Sequence, residues 1–160
     1  MSDEKIVQDR NFDDLARRFK RNVYGGLKGD IRLAVIERDF AEFLPGALEQ
    51  VQRPLRVLDA GGGQGQLAAA LAQAGHEVTI CDISEEMLAL AQQRFSDAGL
   101  EQSAVFEHGS IQSLAQSVER GEREAFDLVV CHAVLEWVAE PRALLEHLMT
   151  LTRQGGHLSL

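Results

Sequence analysis

The sequence predicts an α/β fold: a parallel, doubly wound sheet preceded by a helical segment. Three observations carry that reading. From Pro54 onward, short apolar runs alternate with segments of helical period, and the alternation ends on a fifth run. Arg56 to Ala68 reads "RVLDAGGGQGQLA", with four glycines in five positions directly behind the first apolar run. The residues able to do chemistry collect at the ends of those runs: Asp59 to Gly65, Asp82, Gly109 to Gln112 and His132. Ligands of open parallel sheets bind at the carboxyl ends of the strands, where the strand order reverses.

Each element follows from its pattern. Phe12, Leu15, Ala16 and Phe19 share one helix face behind a candidate N-cap, Asn11. A second helix starts near Asp30, with Ile31, Ala34, Val35, Arg38 and Phe40 or Ala41 on one side, and stops before Pro45. A short third piece reaches about Gln52. "LRVLDA" is a buried strand. "QLAAALAQAG" is a helix stopped by Gly75. "HEVTICD" is a strand, followed by a helix capped by Ser84 with Glu85 and Glu86 at its positive end. "SAVFEHG" is a strand and "QSLAQSVERG" a helix. A fourth strand runs from Phe126 through Cys131 or His132. Pro141 opens a helix read through "TRQGG", and "HLSL" begins a fifth strand. Residues 1–52 are therefore read as an N-terminal helical part, and 53–160 as the sheet core of the same domain.

The totals narrow the function classes. A chain of 160 residues holds one domain with a sizeable core. Hydrophobic residues make up 45% and charged residues 26%, with no apolar run of the length a membrane helix needs. "MSDEKIVQDR" lacks the apolar region of a secretory signal, so a cytoplasmic protein without membrane partners is expected. A net charge of −9 argues against a chain that simply coats nucleic acid. One stretch runs against it: Arg17, Arg18, Lys20, Arg21, Lys28 and Arg32 face a single acid, Asp30. That stretch is either a solvated helix face or a surface for an anionic ligand. Cys81 and Cys131 end two different strands. If those strands flank a third, the thiols stand about 9.5 Å apart, too far for a disulfide. Cys81, His108, Cys131 and His132 lack the spacing of a metal site, so none is expected.

The glycine loop alone does not name its ligand. Gly63 to Ala68 fits the relaxed dinucleotide pattern, and Asp82, 19 residues after Gly63, suits a ribose diol. Dinucleotides and S-adenosylmethionine both carry such a ribose. Asp59 separates them. A carboxylate two residues before the first glycine would face a pyrophosphate as like charge against like. It suits an ammonium or sulfonium instead, with the glycines letting backbone approach the ligand. The plainer alternatives are that Asp59 caps a loop and that Asp82 caps the next helix, a place Ser84 already fills.

"VLDAGGGQGQ" resembles the first motif of the class I S-adenosylmethionine-dependent methyltransferases. "QDRNFDDLARRFKRNVYGGLKGDIR" and "CHAVLEWVAEPRALL" narrow the resemblance to the bacterial tRNA 5-carboxymethoxyuridine methyltransferases, over nearly the whole chain from Gln8. The resemblance implies a Rossmann-like class I sheet under an N-terminal helical lid, residues 1–52. It implies S-adenosyl-L-methionine as cofactor and tRNA as substrate, with methyl transfer to the carboxylate of 5-carboxymethoxyuridine at the wobble position. It also implies the cofactor contacts: Arg32 on the cofactor's carboxylate, Gly61 and Gly62 by their backbone, Asp82 on the ribose, Ile111 and Gln112 beside the adenine, and His132 near the methionine part. Asp59 joins this set on the charge argument above. No catalytic acid or base is nominated, because a carboxylate is already a nucleophile at neutral pH.

The pattern departs from the family at one place. A class I sheet resembles seven strands, and this sequence accounts for five, so it reads as a cofactor-binding portion truncated after the fifth strand. Two other functions stay open at this level: methyl transfer to a small molecule, and a module that binds the cofactor without catalysis. A homodimer is likewise left open.

Overall fold

A computed structural model describes residues 27–45, 47 and 53–160. The expected helix on Phe12, Leu15, Ala16 and Phe19, its cap Asn11 and the short piece toward Gln52 lie outside the described residues. The described elements are α1 (Leu27–Phe43), β1 (Arg56–Ala60), α2 (Gln66–Gln73), β2 (Glu77–Asp82), α3 (Glu85–Asp97), β3 (Ala104–His108), α4 (Ile111–Glu119), β4 (Phe126–Val130), α5 (Pro141–Leu151) and β5 (Thr152–Ser159). One-turn 3-10 helices lie at Glu101–Ser103 and Leu135–Trp137.

The five strands form one sheet in the order β3-β2-β1-β4-β5, every pair parallel. The chain steps outward from β1 to β3, then returns to place β4 on the other side of β1. The reversal opens a crevice at the carboxyl ends of β1 and β4, where Asp59 and His132 stand. Alternation along β1 sorts its side chains between two cores. Val57 packs with α1, α2 and α3, whereas Leu58 and Ala60 pack with α4 and α5. Cys81 and Cys131 flank β1 from β2 and from the end of β4, as the spacing argument required, and both are buried free thiols. Burial pushes each up to about 12, which leaves them unreactive packing groups.

Two readings need correction. In α1 the buried stripe is Gly29, Ile36 and Phe40 with Leu33 half-buried, whereas Ile31 is 54% and Val35 41% exposed. The helix starts at Leu27, and its sequence carries two apolar stripes. The one chosen from Ile31 onward is the outer one, because periodicity does not say which stripe meets the sheet. The second correction concerns the end of α5. The helix stops at Leu151 and "TRQGG" belongs to β5. Thr152 donates its hydroxyl back to Leu148 and Arg153 pairs with Asp127. The pairing then jumps from Phe126 opposite Thr152 to Leu128 opposite His157, an irregularity that holds Gly155 at φ +74°.

One buried side chain ties the end of the helical part to the sheet. His76 is 2% exposed; its Nδ1 accepts from the Leu55 N–H at 3.1 Å, and its Nε2 lies 2.6 Å from the Ala47 carbonyl. The imidazole thereby clamps the connection between α1 and β1. His76→Phe keeps the bulk and strands two backbone groups. It is expected to cost about 2 kcal/mol, read as a lowered denaturation midpoint with an unchanged slope.

Candidate functional site

The site is built on the loop from Ala60 to Gln66. The Gly61 and Gly62 N–H groups both reach the Cys81 carbonyl, at 2.8 and 3.2 Å, and the Gly65 N–H returns to Gly62 at 2.9 Å. These bonds press the loop onto the end of β2. Gly62 has no room for a side chain: a Cβ there would lie 2.7 Å from Asp59 Cγ and 2.9 Å from Ile80 Cγ2. At Gly61, held at φ +69°, a Cβ would lie 2.6 Å from Val134 Cγ2. The segment after β4 thus crosses directly over the glycine loop. Its turn is tight, with Ala133 in the left-handed region at φ +57°, a conformation few non-glycine residues adopt.

Beneath the loop, Asp59 is 6% exposed. Burial, reinforced by the charge of Asp82 and opposed by the Ala68 N–H, pushes its carboxyl up to about 7. Asp82 is oriented by two backbone donors, the Gly63 N–H at 2.9 Å and the Ser84 N–H at 2.9 Å. These two bonds aim the carboxylate. Ser84, not Asp82, caps α3, its Oγ accepting from the Met87 N–H at 3.2 Å.

Arg32, Asp59, Gly61, Gly62 and His132 line one open cleft, together with Gly29, Leu33, Ile36, Gln66 and Leu67. α1 forms its outer wall, and Arg32 is exposed at the rim. His132 is half-buried, its Nε2 2.9 Å from Ser159 Oγ. Burial and then the charge of Arg32 lower its pKa, against a smaller opposite effect of Asp39, so the ring is held neutral.

Not every sequence candidate shares this cleft. Asp82 stands beside it, joined through Gly63. Ile111 and Gln112 lie further along, in the first turn of α4, where Ile111 is half-buried against the core and Gln112 is exposed. Their loop meets Asp82 through the Gly109 N–H, which donates to the Asp82 carbonyl at 3.0 Å. Trp137 is half-buried in the 3-10 turn after His132. Sequence reasoning missed Gly29, Leu33, Ile36, Gln66 and Leu67 in the cleft, and Ser159 beside His132. Gln66 and Leu67 directly follow the glycines, and that adjacency was the available signal. Ser159 carried none. Among the described residues no group of His, Cys, Asp and Glu is arranged to hold a metal ion, and no helix is long and apolar enough to cross a membrane.

A family defined as "Methyltransferase domain" matches residues 58–158, from β1 to β5. The chain belongs to the methyltransferase-domain family. Among curated relatives, this methyltransferase domain is 44% identical over 154 residues to the tRNA 5-carboxymethoxyuridine methyltransferase of Escherichia coli. That alignment covers 96% of the chain and 56% of the relative, so the chain spans about half the length of the enzyme it matches. It is 34% identical to a ubiquinone biosynthesis O-methyltransferase of Stutzerimonas stutzeri, over 64% of the chain and 42% of that protein. Among solved structures, the magnesium protoporphyrin IX methyltransferase of Synechocystis with bound S-adenosylmethionine shares 28% identity at a TM-score of 0.66, over 88% of this chain and 68% of that one. An S-adenosylmethionine-dependent methyltransferase of Methanococcus maripaludis described as putative in its structure shares the fold at 19% identity and a TM-score of 0.71, over 99% of this chain and 65% of that one.

Proposed function

We propose that this methyltransferase domain binds S-adenosylmethionine and serves methyl transfer to the carboxylate of 5-carboxymethoxyuridine in the tRNA wobble position, in the cytoplasm. The observation that carries the proposal is the 44% identity to the Escherichia coli enzyme over 96% of the chain, helical part included. The ubiquinone O-methyltransferase match covers only 64% of the chain, which favours tRNA over a small-molecule acceptor. In this reading residues 1–52 form the lid and 53–160 the cofactor-binding core.

The residues present fit the cofactor. A buried carboxylate held near neutrality under a glycine loop favours a cation and rejects a phosphate. The missing side chain at Gly62 lets the loop pack directly onto Asp59 and Ile80. Asp59 would face the cofactor's ammonium end, Arg32 its carboxylate, and Asp82 the ribose hydroxyls. Ile111 and Gln112 would flank the adenine, and His132 the methionine part. When bound, the cofactor supplies a methyl group activated by a positive sulfur.

The protein's task is then positional. The accepting carboxylate is ionised at neutral pH and needs no general base. The walls have to exclude water and hold the accepting oxygen about 3–3.5 Å from the methyl carbon, in line with the breaking bond. Arg17, Arg18, Lys20, Arg21 and Lys28 would meet tRNA phosphates; none of those side chains lies within the described part of the structure.

Incubation with 5-carboxymethoxyuridine-containing tRNA and S-adenosylmethionine, followed by nucleoside mass spectrometry, tests the reading. The methyl ester of that nucleoside is the expected product. Methylation of a small acceptor with the tRNA nucleoside untouched would contradict it. Arg32→Ala is expected to weaken S-adenosylhomocysteine binding about tenfold, or about 1.4 kcal/mol by calorimetry. Unchanged affinity would remove Arg32 from the site.

A further inference from the structure

β5 is the strand furthest from the glycine loop on one side of the sheet, and its Ser159 reaches His132, which lines the cleft. Asp59 is paired across the sheet with Val130, and Val130 with Ser159. Residues paired across strands present their side chains on one face. Ile80, Asp59, Val130 and Ser159 therefore form a single row across four strands. Two members of the row are apolar. The polar ones, Asp59 and Ser159, flank Val130 at the end of the sheet where the cleft opens.

Ser159 is held in place by backbone. Its carbonyl accepts from the Cys131 N–H at 2.9 Å, immediately before His132. Its hydroxyl lies 2.9 Å from His132 Nε2. On its other side, His132 is followed by the strained Ala133 and by Val134, which packs over Gly61. The imidazole is thus fixed between the glycine loop and β5. Strained turns of this kind persist when their surroundings over-determine them, and the hydroxyl contact is one of the constraints here.

We propose that Ser159 is a positioning residue for the cofactor site, donating its hydroxyl proton to His132 Nε2 and so holding the ring in the tautomer protonated on Nδ1. The inference rests on the reading of the cleft as an S-adenosylmethionine site. A neutral imidazole has one donor and one acceptor. With Nε2 engaged as acceptor, Nδ1–H becomes the ring's donor toward a bound ligand. A ring free to exchange tautomers would offer that donor only part of the time.

Three measurements on the chain test this. Nitrogen-15 spectra of the histidine side chains, with His132 assigned by its loss in His132→Asn, are expected to show a protonated Nδ1 and an unprotonated Nε2. Ser159→Ala is expected to shift His132 toward the other tautomer and to weaken S-adenosylhomocysteine binding about fivefold, with the thermal midpoint retained. Ser159→Thr is expected to restore both. A wild-type ring protonated on Nε2, or tautomer populations unmoved in Ser159→Ala, would overturn the proposal. Failure of the wild-type chain to bind S-adenosylhomocysteine would instead overturn the functional reading, while the spectra still decide the tautomer.

Discussion

Replacing Gly62 by alanine is expected to abolish cofactor binding and to cost the fold about 3 kcal/mol. The added Cβ would lie 2.7 Å from Asp59 Cγ, 2.8 Å from Asp59 Oδ2 and 2.9 Å from Ile80 Cγ2, closer than carbon atoms approach in folded proteins. Relief has to come from one side or the other, and both are pinned. Asp59 and Ile80 are paired partners in β1 and β2, both buried. The Gly62 N–H is held by Cys81 and its carbonyl by the Gly65 N–H. Backbone conformation is not the obstacle, because Gly62 lies outside the positive-φ glycines; the obstacle is space. The loop that moves to make room is the one meant to touch the cofactor. Denaturant unfolding and calorimetry with S-adenosylhomocysteine measure the two effects, and a variant matching the parent in both would show that the loop does not pack as described.

The second large effect concerns Asp59 and pH. Its carboxyl titrates near 7 in the ligand-free fold, against an ordinary value of 3.8, because burial and then Asp82 disfavour its charge. The sign follows from which state holds the proton. As pH rises from about 4 to about 7 the unfolded chain gives up this proton before the folded chain does, so folded stability falls across that window. The contribution is fully present below pH 4 and lost above 7. Asp59→Asn keeps an acceptor for the Ala68 N–H and removes the titration. At pH 8 it is expected to stabilise the ligand-free chain by about 3 kcal/mol and to flatten the pH dependence. A bound ammonium acts in the opposite direction, favouring the carboxylate. Binding at pH 6 is therefore expected to release a proton, seen as a calorimetric heat that varies with the buffer's ionisation enthalpy. The variant should lose that release and bind at least tenfold more weakly. Unchanged binding by Asp59→Asn would reduce Asp59 to a loop cap.

These effects come from residues whose placement was largely legible in the sequence. The alternation after Pro54 fixed the element order, because strands buried on both faces read as apolar runs and the intervening helices carry their own caps. Ser84 and Pro141 sit where their capping chemistry requires. The strand-end rule collects Asp59, Gly61, Gly62 and His132 from the sequence, and they share a cleft.

The readings that failed did so for physical reasons. α1 carries two apolar stripes, and the choice between Ile36–Phe40 and Ile31–Val35 depends on what lies beneath the helix. "TRQGG" joins β5 because Asp127 and the β4 edge hold it there, contacts from far along the chain. Ser159 was invisible for the same reason: its meaning depends on a strand register that brings it beside His132, two strands from Asp59. Ile111 and Gln112 were legible as a strand-end loop, but their distance from the Arg32 cleft was not.

A carboxylate beneath the glycine loop selects a ligand that presents an ammonium group over a dinucleotide. Calorimetric titration of the chain with S-adenosylhomocysteine and, in parallel, with NADH tests it most directly. Saturable binding of S-adenosylhomocysteine, weakened about tenfold in Arg32→Ala, and no binding of NADH are expected. Binding of NADH in preference would contradict it, because Asp59 would then be facing a pyrophosphate.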